Sequence, residues 1–131
     1  MRLLTHNYMQ STVKGTEKGY PLKIEADKVE YEESPFDAEF VKALIPKLNY
    51  EILSFALGQI VEKCKQDIEE VQIPELPENI GEDLDEELLK KLHTVLFDLH
   101  VVEGHLICPD TGRRFAIKMG IPNMVLHADE M

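Results

Sequence analysis

A chain of 131 residues with 44% hydrophobic side chains suits one compact domain or two very small intimate ones, able to bury about two-thirds of its unfolded surface without disulfides. The formal net charge of −11, from 25 acidic against 14 basic residues, excludes a general phosphate-binding surface, because each phosphate contact needs a lysine or arginine. Cys64 and Cys108 cannot build a disulfide framework, and no stretch approaches the ~18 apolar residues of a membrane span.

In chain order, the N-terminal Met1-Arg2-Leu3-Leu4-Thr5-His6-Asn7 lacks the long apolar core of a secretion signal, so the cytosol or nucleus is expected. Met1 to Leu4 reads as a short strand, with Thr5-His6-Asn7 as its end or a turn. Gly15, Gly19 and Pro21 break the following stretch into loop. Leu22, Ile24 and Ala26 then share one parity against Lys23, Glu25 and Asp27, and Val29 and Tyr31 resume the strand pattern after a slip.

Helical character starts near Ser34-Pro35, where serine suits the N-cap and proline the first helical position. Phe40, Val41, Leu44 and Ile45 share a face until Pro46 interrupts it. Asn49 can cap a second helix carrying Ile52, Leu53, Ala56, Leu57, Ile60 and Val61. Gln66 to Gly81, with Pro74 and Pro77, reads as a linker or surface loop. A third helix is predicted from about Asp85 to Leu99, with Leu88, Leu89, Leu92, Val95, Leu96 and Leu99 as its stripe.

A second β-rich region follows. Val101-Val102 precedes a turn at Glu103-Gly104, then come Leu106-Ile107 and the turn Pro109-Asp110-Thr111-Gly112. Phe115 and Ile117 alternate in a further strand, Gly120 and Pro122 bend the chain, and Met124-Val125-Leu126 finish it. Two short β pieces at opposite ends of the chain are each too small to fold alone, so they are expected to pair into one sheet. The predicted class is α+β: a discontinuous β unit of residues 1–33 and 100–131, around a helical insertion of residues 34–99.

Chemistry-bearing patterns are few. Cys108-Pro109-Asp110-Thr111-Gly112 has the shape of a metal knuckle, but Thr111 stands where the second thiolate of a C-x-x-C pair would be, and a neutral hydroxyl is a poor zinc ligand. His6, His93, His100, His105 and His127 show no strict ligand spacing. A site of Cys108 with His6 or His127 is the remaining alternative; no metal is expected. The sequence holds no G-x-S-x-G elbow, no G-x-G-x-x-G and no Walker loop, and its carboxylates at Glu30, Glu32, Glu33 and from Glu75 to Glu87 occur as solvated runs. No catalytic residue is expected.

The terminal segments Met1-Arg2-Leu3-Leu4-Thr5-His6-Asn7 and Gly120-Ile121-Pro122-Asn123-Met124-Val125-Leu126, together with Ser34-Pro35-Phe36-Asp37-Ala38-Glu39-Phe40, Leu92-His93-Thr94-Val95-Leu96 and Val102-Glu103-Gly104-His105-Leu106, resemble the multifunctional methyltransferase subunit family over nearly the whole chain. The resemblance implies a zinc-ribbon-like sheet built from both termini and a central helical insertion. It implies a non-catalytic activating and stabilising subunit, forming heterodimers with Rossmann-like methyltransferases that bind S-adenosylmethionine and act on tRNA, ribosomal RNA and a translation termination factor. It places the partner surface at Thr5, His6 and Asn7, at Phe40 and Pro46, and at Ile121, Pro122, Asn123 and Met124.

Against zinc-carrying members, Ser11 and Thr111 stand where cysteines are expected, Gly15-Thr16 takes the remaining place, and Cys108 alone persists. The subunit itself is expected to need no cofactor, zinc included, to touch no membrane, and to work in cytoplasm and nucleus. An acidic adaptor with apolar ends would dock by adding an edge strand to its partner's sheet. The rival is a degenerate ribbon that binds nucleic acid directly, against which the charge argues.

Overall fold

The alternation that begins at Ile24 forms strand β1 (Lys23–Tyr31), which pairs antiparallel with β2 (Leu99–Ile107); β3 (Arg114–Lys118) and β4 (Ile121–Pro122) complete a sheet of order β1-β2-β3-β4. The computed structural model describes residues 1–69, 72–78, 80, 84–126 and 128–130. Strands from the two ends of the sequence thus share one antiparallel sheet, and the helical stretch lies between them as an insertion.

The slip in β1 is a register irregularity. Ile24 faces Leu106 and Val29 faces Val101, with shifts on both sides of Lys28 between them. The same irregularity corrects the turn expected at Glu103-Gly104, because β2 runs through without a break. Gly104 sits opposite Ala26 at φ +154, where a Cβ would lie 2.2 Å from the Glu25 carbonyl oxygen. A glycine that reads as a turn is here a point of close backbone approach.

Of the short strand expected at Met1 to Leu4, only the start is extended: Arg2 forms an antiparallel bridge with His100, and from Leu3 the chain is a helix, α1 (Leu3–Tyr8). Leu3, His6 and Asn7 all point inward, a three-to-four spacing that an extended segment would split between two faces. Tertiary anchoring, not propensity, holds so short a helix. Helix α2 (Ala38–Leu44) is capped by Asp37, whose Oδ1 accepts from the amides of Glu39 and Phe40 at 3.1 and 3.2 Å. The expected cap, Ser34, is engaged elsewhere. Its hydroxyl donates to buried Asp98 at 2.6 Å and lies 3.0 Å from His93 Nε2. A 3₁₀ turn at Ile45–Lys47 ends α2, as Pro46 requires.

Helix α3 (Tyr50–Asp67) is capped by Asn49, whose Oδ1 accepts from the Ile52 amide at 3.3 Å. It enters the stretch read as linker before stopping at Asp67; Glu70, Val71, Asn79 and Gly81 of that stretch lie outside the described residues. Helix α4 (Glu86–His93) widens into a π-helical turn (Thr94–Asp98), and Leu99, expected as the last helical residue, is the first of β2. The apolar stripe is real, since Leu92, Val95, Leu96 and Leu99 are all fully buried. Its last member is buried as strand, opposite Tyr31.

One face of the sheet, through Ile24, Val29, Val101, Leu106, Phe115 and Ile117, joins a single buried cluster with Leu3, Leu53, Ile60, Leu92 and Leu96. Helix α3 lies along β1 and also satisfies its outer edge. Gln59 Oε1 accepts from the Ile24 amide at 2.7 Å, and Asp67 Oδ2 from the Val29 amide at 3.0 Å. Among the described residues no helix is long and apolar enough to cross a membrane.

Candidate functional site

A sheet has two edges, and unpaired strand edges are where another chain can add. Here α3 covers β1, which leaves β4 at the other side. The β3–β4 turn is only two residues long, Met119 and Gly120, both at positive φ (53° and 76°), the backbone of a tight hairpin with the twist of its strands. Methionine in that region costs about 1 kcal/mol, and Met119 is nonetheless 87% exposed. Ile121 and Val125 follow at 70% and 75%, making an apolar ridge of the kind that marks an interaction site. The Asn123 amide donates to Ala116 at 2.9 Å and its Oδ1 accepts from the Val125 amide at 3.0 Å, holding the strand exit beside β3. Between them lies a shallow hollow of ≈ 430 Å³, lined by Ala116, Lys118 and the stretch from Ile121 to Val125. No acidic residue occurs between Asp110 and Asp129, so the strands and turn that form this ridge carry no carboxylate of their own on an otherwise acidic chain.

Four of the nine expected interface residues, Ile121, Pro122, Asn123 and Met124, come together here. Met124 is half-buried against the core rather than fully presented. The N-terminal trio divides. Thr5 is exposed, whereas His6 and Asn7 are 1% and 3% exposed and their side chains serve the interior. Asn7 clasps the backbone of Asn49 in both directions, Nδ2 donating to its carbonyl at 2.9 Å and Oδ1 accepting from its amide at 3.0 Å. The Met1 ammonium donates to the carbonyls of Val101 and Gly120, each at 2.7 Å, and Tyr8 Oη donates to the Lys47 carbonyl at 2.9 Å. Helix α1, about 9 Å long, therefore reaches from the β3–β4 turn to the exposed Pro46 turn. Phe40, 52% exposed, stacks on Phe97 with ring centroids 5.8 Å apart. Its helix packs on α4 while β4 packs on β3 and β2, so Phe40 belongs to a different group of elements. Met119 and Val125 were not singled out from sequence; the signal for Met119 was a Met-Gly pair closing two strands.

His6 makes a pH prediction. Its Nε2 lies 2.7 Å from the Leu22 carbonyl while Nδ1 is buried without a partner. Burial pushes its pKa below the ordinary histidine value, and the bond to Leu22 offsets part of this. His100 is shifted the same way, by burial and then by Arg2 and the N-terminal ammonium. With the folded value depressed, the unfolded chain takes the proton first, so the histidine contribution to stability is complete above about pH 6.5 and is lost as pH drops below it. The melting temperature is expected to decline from about pH 7 to about pH 5, more shallowly in a His6→Gln chain, and a melting temperature flat over that range would contradict it.

Among the described residues no group of three or more His, Cys, Asp or Glu side chains could hold a metal ion; His127 lies outside them. Around Cys108 stand the hydroxyls of Ser11, Thr16 and Thr111, a neutral donor set that does not fit a closed zinc site. Ser34, His93 and Asp98 are the residue types of a hydrolase triad, but the serine hydroxyl donates directly to the carboxylate. That is the reverse of a nucleophile activated through histidine.

A family profile described as Trm112p-like protein matches residues 2–120. The multifunctional methyltransferase subunit TRM112 homolog A of Arabidopsis thaliana is 40% identical over the full length of both chains. The TRM112-like protein of Mus musculus is 39% identical, covering 99% of this chain and 98% of that one. The fold is shared with a chain of the E. cuniculi Mtq2–Trm112 complex, responsible for methylation of the eRF1 translation termination factor: TM-score 0.54, 20% identity, 95% of each chain covered. The fold and these likenesses define a small α+β protein whose relatives are named as methyltransferase subunits and in which β4 is an edge strand of the sheet. The chain belongs to the Trm112p-like family.

Proposed function

We propose that this chain is a non-catalytic subunit that binds, stabilises and activates S-adenosylmethionine-dependent methyltransferases, those acting on tRNA, ribosomal RNA and a translation termination factor. The observation that carries this is the open β4 edge with Met119, Ile121 and Val125 exposed beside it, in a family whose relatives bear the name of methyltransferase subunits. The edge strand adds to the sheet of the catalytic subunit, and the ridge fills apolar pockets there. Met119 and Met124 suit several partners, because an unbranched thioether adapts to different shapes. His6 and Asn7 act from behind, by fixing α1 to Leu22 and to the start of α3, while Thr5 and Pro46 lie on the surface that α1 connects to the hairpin. Phe40, with Phe97, supplies a second contact from the helical insertion between β1 and β2.

Direct binding of RNA is left to the partner. The net charge of −11 supports this, and the arginines nearest the ridge are already paired, Arg113 with Glu130 and Arg114 with Glu25. Two buried, unpaired cysteines suit a reducing compartment, cytoplasm or nucleus.

Co-expression with a methyltransferase catalytic subunit tests the reading. A one-to-one complex on gel filtration is expected, with methyl transfer by the complex and neither methyl transfer nor S-adenosylmethionine binding by this chain alone. Failure to associate with any such enzyme, or micromolar cofactor binding by the free chain, would overturn it.

A further inference from the structure

The resemblance implies a zinc ribbon, yet the two loops that would meet at the metal already meet through other atoms. Cys108 is 1% exposed. Its turn is closed by its own amide, donating to Arg113 O at 2.9 Å, and its own carbonyl, accepting from the Gly112 amide at 3.0 Å. Thr16 Oγ1 lies 3.5 Å from the Cys108 sulfur, and the hydroxyls of Ser11 and Thr111 and the Thr111 backbone bond to the same sulfur. Hydroxyls from both loops thus meet at the Cys108 sulfur. The second link is Asp110, whose Oδ2 accepts from three successive amides of the N-terminal loop: Glu17 at 3.2 Å, Lys18 at 3.1 Å and Gly19 at 2.9 Å. Runs of amides turned toward one anionic oxygen form a strong charge-assisted clip. Gly19 allows that loop to close. It has φ +64, its carbonyl accepts from the Ser11 amide at 2.8 Å, and a Cβ would lie 2.1 Å from the Ser11 oxygen.

We propose that this is a metal-free knuckle, in which the Cys108 sulfur is the hub that Ser11, Thr16 and Thr111 hold, and the Asp110 carboxylate joins the two loops in place of a metal. The inference stands apart from the partner reading, since it concerns the free chain. The bonds found at the sulfur favour the thiolate: burial pushes the Cys108 thiol up, and the hydrogen bonds from Ser11, Thr111 and Thr16 outweigh it and bring it down to about 6. The Asp110 carboxyl is held below its usual range first by the Gly19 amide, then by those of Lys18 and Glu17.

The test uses the purified full chain, once dialysed against EDTA and once against zinc chloride, read by metal analysis after gel filtration and by thermal melting. The two samples are expected to melt within about 1 °C of each other and to retain no stoichiometric zinc. One equivalent of zinc surviving gel filtration, or a melting temperature that EDTA lowers by several degrees, would overturn the proposal. Asp110→Asn keeps the size and loses the charge, and Cys108→Ala removes the hub. Each is expected to lower the melting temperature by several degrees with EDTA still without effect, and wild-type melting of either would show that the knuckle is held in another way.

Discussion

The Ile121→Glu chain is expected to fold normally and to lose its methyltransferase partner. Ile121 is 70% exposed, so a charged side chain there meets only water in the free subunit, and surface changes of this kind usually move stability by less than about 0.5 kcal/mol. In a complex formed along β4 the same carboxylate would be buried against apolar groups without a counter-charge. Truncation of an interface anchor alone costs about 2 kcal/mol or more, roughly thirtyfold in affinity, and an unpaired buried charge adds to that. Co-purification should be abolished, while the circular dichroism spectrum and melting temperature stay those of the parent. A folded Ile121→Glu chain that binds every catalytic subunit normally would move the interface away from this edge. Met124→Glu is the less clean experiment. Met124 is half-buried against the core, so loss of binding there mixes a damaged contact with a damaged sheet.

The largest loss of stability is expected from Gly104→Ala. The added methyl group would lie 2.2 Å from the Glu25 carbonyl oxygen and 3.1 Å from the Ala26 Cα, at a backbone angle of φ +154 that side-chain-bearing residues rarely adopt. Backbone atoms cannot swing aside as the tip of a side chain would, so β1 and β2 must separate locally. A cost of about 3 kcal/mol follows, or about 10 °C in melting temperature for a chain of this size. Gly58→Ala is the control: nothing lies within 4 Å of a Cβ built there, and α3 should tolerate or favour the change. Equal melting of the two variants would refute the close-approach account of Gly104.

What the sequence made legible was whatever a local period encodes. The parity break between Ala26 and Val29 is the register irregularity at Lys28, and the Asn49 cap is where its hydrogen bond is found. The misreadings share one cause: a distant partner decides between local alternatives. Ser34 is as good a cap as Asp37 until Asp98, far along the chain, claims its hydroxyl. Leu99 continues a helical spacing and is taken by β2 because Tyr31 waits opposite. Glu103-Gly104 has turn composition, and only the approach of Glu25 shows why a glycine is there. At the candidate surface, the C-terminal segment was legible as a block. The inward turn of His6 and Asn7 was not, because it depends on Leu22 and Asn49 standing behind α1.

The two edges of the sheet are treated unequally. Gln59 and Asp67 occupy the amides of Ile24 and Val29, so a strand arriving on that side finds two of its hydrogen-bonding positions taken and α3 in its way. Among the described residues the β4 side is the edge left to extend, and an edge can be extended once. A subunit of this design cannot bridge two enzymes or polymerise head to tail through its sheet. On the docking proposed along β4, methyltransferases that need the subunit would compete for that one edge, and raising the concentration of one of them would withdraw it from the others by mass action.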